Sequence, residues 1–157
     1  MVGAMDKPAS DSFMAQALDE ARAAARRGEV PVGAVVVEAA TGRVLARAGN
    51  ETEAAHDPTA HAEILALRRA AQARGEPRLP DCDLYVTLEP CAMCAAAISH
   101  ARIRRLYFGA YDPKGGGVEH GPRFFAQPTC HHAPEVIGGL DETAAAALLK
   151  DFFKERR

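Results

Sequence analysis

Two short motifs, His61-Ala62-Glu63 and Pro90-Cys91-Ala92-Met93-Cys94, stand thirty residues apart and constrain any fold this chain adopts. Each lies near the start of a segment whose apolar spacing predicts a helix. Cys91 and Cys94, at i and i+3, are then neighbours on one helix face. Unpaired amides at a helix start stabilise negative charge, which favours both cysteines as thiolates. One imidazole and two thiolates form a good zinc set, and three protein ligands leave a fourth position for water. The fold must carry two helix starts to one point.

Zinc in such a site lowers the pKa of a bound water from about 15.7 to about 7. Glu63, two residues from His61, is not at ligand spacing on the same face. It is better placed to take a proton from that water and return it to a ring nitrogen. H-x-E followed by P-C-x-x-C is the pattern of zinc nucleobase deaminases. The bland alternative is a structural zinc knuckle with a surface glutamate. Such sites close with four protein ligands, and no fourth partner stands near either motif.

Four cysteines without an export signal fit a reducing cytoplasm and a metal site better than a disulfide framework. Cys82 and Cys130-His131-His132 are rivals for metal, with loop packing the favoured role, and His56 reads as structural. No apolar run approaches the roughly 20 residues of a membrane span. A net charge of −2 excludes a generally basic nucleic-acid binder, so any such contact must use local patches.

Residues 1–12 read as a flexible tail and 13–157 as one domain. Phe13, Ala17, Ala21 and Ala24 predict a helix ending at Gly28, and Val30 to Val37 a central strand. Thr41-Gly42 turns into a second strand, Val44 to Gly49. Asp57 and Pro58 predict the cap and first turn of the next helix, which places His61 about one turn in. Leu84 to Leu88, Leu106 to Phe108 and Val136-Ile137 read as strands, with a helix from Cys91 to about Ala101. Asp141 is expected to cap a last helix with Leu148, Leu149, Phe152 and Phe153 as its buried stripe. This order implies an α/β fold, one mixed sheet covered by helices on both faces.

At Glu29 to Val35, Asn50, His56 to Ile64, Leu84 to Cys94, Gly109-Ala110, Asp112-Pro113-Lys114 and Asp151 to Lys154, the chain resembles the bacterial tRNA-specific adenosine deaminases. These belong to the cytidine deaminase-like superfamily, and the resemblance runs over roughly residues 11 to 157. It implies a three-layer α/β/α sandwich with a mixed five-stranded sheet, one zinc per chain, and a homodimer. The implied reaction is hydrolytic conversion of the wobble adenosine of an arginine tRNA to inosine, on the anticodon stem-loop. By position, His61, Cys91 and Cys94 are implied as zinc ligands and Glu63 as the proton shuttle. Asn50 is implied to hydrogen-bond the flipped base, and Asp112 and Lys114 to meet neighbouring nucleotides. Ordinary turn roles stand as the alternative for all three.

Two basic clusters are candidate RNA contacts: Arg102, Arg104 and Arg105, and Lys150, Lys154, Arg156 and Arg157. Lysine and arginine supply affinity through phosphates, but on helix ends they are commonly just solvated. Phe153, beside Lys154, is either core or a stacking platform. Two rival functions remain: a deaminase of free cytosine, cytidine or guanine, and a noncatalytic zinc-stabilised interaction domain. Glu63 speaks against the second.

Overall fold

The computed structural model describes residues 9–156. Four helices and five strands follow in the order α1 (Ala9–Arg26), β1 (Gly33–Glu38), β2 (Arg43–Gly49), α2 (Ala62–Arg74), β3 (Cys82–Leu88), α3 (Ala92–His100), β4 (Arg105–Ala110), β5 (Glu135–Ile137) and α4 (Glu142–Glu155). Helix α1 begins inside the segment expected to be a tail, whose residues 1–8 lie outside those described. The strands form one sheet in the order β2-β1-β3-β4-β5. β1 runs antiparallel to β2 and β3, whereas β3, β4 and β5 are parallel. This is the expected mixed sheet, with α3 as the crossover that a parallel β3–β4 pair requires.

Strand periodicity sorts the core onto two faces. Ala34, Val36, Leu84, Val86, Leu106 and Phe108 pack with Leu65, Ala66 and Ala70 of α2 and Ala95 and Ile98 of α3. Val35, Val37 and Tyr85 pack instead with Met14, Ala17 and Leu18 of α1 and Ala145 of α4. Three layers result. Gly33 lets α1 lie close on the sheet, since a Cβ there would stand 1.9 Å from the Ala17 carbonyl oxygen. No helix among the described residues is long and apolar enough to cross a membrane.

Four local expectations are corrected. Helix α2 starts at Ala62, not at Pro58. Asp57 spends its Oδ1 on the Thr59 amide at 2.8 Å and hydroxyl at 2.7 Å, a local turn that competes with capping. Cys82 is the buried first residue of β3 and does not precede it. Asp141 does occupy the cap position of α4, but in a left-handed conformation (φ 55°) with no side-chain capping bond. The buried face of α4 comprises Ala145 and Phe152, flanked by half-buried Leu148 and Leu149, while Phe153 is 47% exposed.

Candidate active site

His61 and Cys91 are both cap residues, each extended at the very start of its helix. The expectation that His61 lies a turn inside α2 is corrected accordingly. The cap carbonyls of both accept the first helical bonds, from Leu65 at 3.0 Å and Ala95 at 2.9 Å. Asn50, at the end of β2, caps α2 from a distance: its Oδ1 accepts the Ala62 amide at 2.8 Å. That leaves the Nδ2 group as the side chain's donor toward a ligand.

The two helix starts meet. His61 Nδ1 lies 3.7 Å from Cys91 Sγ and 3.5 Å from Cys94 Sγ. Tetrahedral zinc, with bonds of about 2.3 Å to sulfur and about 2.0–2.1 Å to nitrogen, separates those atoms by about 3.6 Å. The donor set thus fits zinc in chemistry and spacing. Among the described residues these three alone form such a group. The Cys91 thiol is pulled down to about 4, first by its hydrogen bond with Cys94 and then, against burial, by His61 and the Cys94 amide. Sharing that bond pushes the Cys94 thiol up, with burial adding to the shift. The His61 imidazole is raised chiefly by Cys91.

Glu63 sits in the first turn of α2 with 4% of its surface exposed. Its Oε1 has no hydrogen-bond partner among the described residues. Burial pushes its carboxyl up to about 7, partly offset by its own backbone amide and by His61. A buried carboxyl with one oxygen left unpartnered is costly in a structure. A carboxyl held at that value beside a metal-binding donor set can take up or release a proton near neutrality.

A cavity of about 320 Å³ opens at this point, lined by Val30 and Val32, by Asn50 and Thr52, by His61, Glu63, Leu88, Glu89 and Cys91, and by Asp112 and Gly115. Its size is at the lower end of the roughly 300–1,000 Å³ typical of small-molecule sites. Asp112 is in the wall, and its Oδ1 accepts the amides of Lys114 and Gly115 at 3.2 and 2.9 Å. Lys114, Phe153 and Lys154 are exposed and outside that lining.

Two wall-supporting residues lie in stretches that carry the family resemblance, yet the sequence assigns them no role. Buried Glu29 accepts the Glu53 and Ala54 amides at 3.1 and 2.9 Å, which fixes the loop that carries Thr52. Buried Glu89 does the same for the loop after β4. Its carboxyl lies below the usual range: burial acts to raise it, and the Asp112 amide, His120 and the Glu119 amide outweigh that.

The first basic cluster is largely engaged within the protein. Arg104 makes two bonds to Asp83 at 3.0 and 2.8 Å, Arg105 pairs with Glu135, and Arg102 holds the Ser99 carbonyl at 2.8 Å. In the terminal cluster Arg156 lies over the Phe152 ring, 3.6 Å from its centroid, and Arg157 is outside the described residues. Cys130 and His132 serve loop packing: Cys130 Sγ lies 3.6 Å from Ser99 Oγ, and the His132 ring lies 2.7 Å from the Ile103 carbonyl. His56 is exposed, with a left-handed φ of 50°.

Residues 8–110 match the family described as the cytidine and deoxycytidylate deaminase zinc-binding region. The chain is 63% identical to a tRNA-specific adenosine deaminase of Agrobacterium fabrum, over 92% of this chain and 94% of that one. Identity to the tRNA-specific adenosine deaminase of Bacillus subtilis is 41%, over 92% and 89%. A solved structure from a study of A-to-I editing by tRNA:A34 deaminases at the wobble position matches with a TM-score of 0.86 and 64% identity, covering 88% and 99%. A guanine deaminase from Nitrosomonas europaea matches with a TM-score of 0.79 and 25% identity, covering 90% and 83%.

Proposed function

This chain belongs to the cytidine and deoxycytidylate deaminase zinc-binding family, and we propose that it deaminates the wobble adenosine of a tRNA anticodon to inosine. An arginine tRNA is the expected substrate, and the cytoplasm the expected compartment. The observation that carries the chemistry is Glu63, buried beside His61, Cys91 and Cys94 with its Oε1 unpartnered among the described residues. His61, Cys91 and Cys94 hold the zinc, which when bound supplies an activated water. Glu63 takes a proton from the attacking water and delivers it to N1 of the adenine ring. It then carries a proton to the amino nitrogen. A C6–O bond replaces the C6–N bond and ammonia leaves. Asn50 orients the base through its Nδ2 donor, and the apolar Val30, Val32 and Leu88 keep the reacting ring away from bulk water.

The substrate assignment rests on the relatives, and the surface gives it a specific form. Lys114 follows Asp112 of the cavity wall, while exposed Phe153 and Lys154 share the end of α4. We assign the lysines to phosphates and Phe153 to stacking on an unpaired base. Turnover of an anticodon stem-loop at subsaturating concentration is expected to fall steeply with salt. Lys114→Ala and Lys154→Ala should each flatten the log–log slope by about 0.7–0.9. An unaltered slope in both variants refutes this interface.

The chain also works as a homodimer in this reading. An apolar groove between α2 and α3, lined by Ile64, Leu67, Ala71, Ala97 and Ala101 among others, offers a face for a second copy. Sedimentation equilibrium is expected to give twice the chain mass, and a monomer at micromolar concentration contradicts it.

A further inference from the structure

Glu89 follows the last residue of β3 and precedes Pro90 of the cysteine motif. Its side chain is completely buried. Oε1 accepts the Asp112 amide at 3.0 Å and lies 2.8 Å from His120 Nδ1. Oε2 accepts the amides of Val118, Glu119 and His120 at 3.2, 2.8 and 3.1 Å. One carboxylate therefore gathers both ends of a single loop. The adjoining Pro90 carbonyl accepts the Gly117 amide at 2.8 Å, which seats the same loop on the start of α3.

Two glycines permit that approach. A Cβ on Gly116 would stand 2.4 Å from Glu89 Oε2, and one on Gly117 would stand 2.5 Å from the Ala92 nitrogen. The loop in turn supplies Asp112 and Gly115 to the wall of the cavity that His61, Glu63 and Glu89 itself also line. We infer that Glu89 is a positioning residue, which holds the Asp112–His120 loop at a fixed distance from the Cys91 turn and thereby sets the width of the substrate cavity. Only a carboxylate meets this set of donors. A glutamine amide in the same place turns an N–H toward the Asp112 amide and leaves that donor unpaired.

The substrate side of this inference rests on the proposed tRNA reaction, so its test has an arm that needs no substrate. Glu89→Gln is prepared as the zinc-loaded full chain. Amide hydrogen exchange in peptides covering 112–120 is expected to quicken at least about tenfold while peptides within α2 stay unchanged. Zinc per chain stays at the wild-type value. On an anticodon stem-loop, kcat/KM is expected to drop at least about tenfold, chiefly through KM. Loop exchange that does not change overturns the inference. So does faster exchange in α2 together with loss of zinc, which marks a merely structural role. Should Glu89→Gln not fold, Gly116→Ala decides by the same readings, because its methyl group pushes the loop off an intact carboxylate. If the wild-type chain fails to turn over the stem-loop, the tRNA reading falls, and the exchange arm still decides the role of Glu89.

Discussion

Cys91→Ala and Cys94→Ala are expected to lose zinc and stability together, from about one zinc per chain to below about a tenth. Each variant removes one of three donors whose separations, 3.7 and 3.5 Å between the sulfurs and His61 Nδ1, match a tetrahedral edge. Two donors then remain, and a metal that binds the folded chain alone no longer stabilises it. A ligand present at about 1,000 times its Kd contributes about 4 kcal/mol. For a chain of this size that is a fall in Tm of about 8–16 °C. Chelating the wild-type protein should reproduce most of this shift, which separates metal loss from damage by the substitution. Elemental analysis with thermal unfolding checks both, and full zinc in both variants refutes the ligand assignment.

Glu63→Ala is expected to do the opposite, keeping zinc and fold while turnover drops by at least ~10²–10⁴-fold. Its Oε1 has no partner among the described residues, and the carboxyl's remaining bonds are to its own backbone amide and to Cys94, so its removal breaks few contacts. The buried acid is itself a cost to the folded state, and the variant should melt at or above the wild-type temperature. Stability and activity then move in contrary directions, as they do where a strained group serves function. If Glu63→Ala released the metal while activity per bound zinc stayed normal, Glu63 would be a ligand and the proton path proposed above would be wrong.

What the sequence made legible follows the range of the interactions. His61, Cys91 and Cys94 stood out because short spacings at helix starts bring their donors together, and the structure joins them. The mixed sheet covered by helices on both faces followed from the order of elements read off the apolar patterns, and the three-layer sandwich from the resemblance. Glu29 and Glu89 lay in stretches that carry the resemblance but received no role, because their partners lie more than twenty residues away and a buried carboxylate bonding to backbone leaves no side-chain pattern. Arg104 and Arg105 looked like a basic patch for the same reason. Asp83 and Glu135 reach them only across neighbouring strands. At Asp57 two signals competed for one residue, and a bond to Thr59 two positions on won over the helix cap. Phe152 and Phe153 are adjacent, so on a helix they diverge by about 100° and only Phe152 reaches the core.

Product analysis tests the central claim most directly. The zinc-loaded chain is incubated with an arginine tRNA carrying adenosine at the wobble position, and in parallel with free adenosine, cytidine and guanine. Digestion and mass spectrometry then read the products. Inosine is expected at the wobble position alone, with free adenosine turned over poorly because it lacks the remote contacts that help to order the site. Efficient turnover of free guanine or cytidine, with no inosine in the tRNA, contradicts the account and makes the chain a deaminase of free bases or nucleosides.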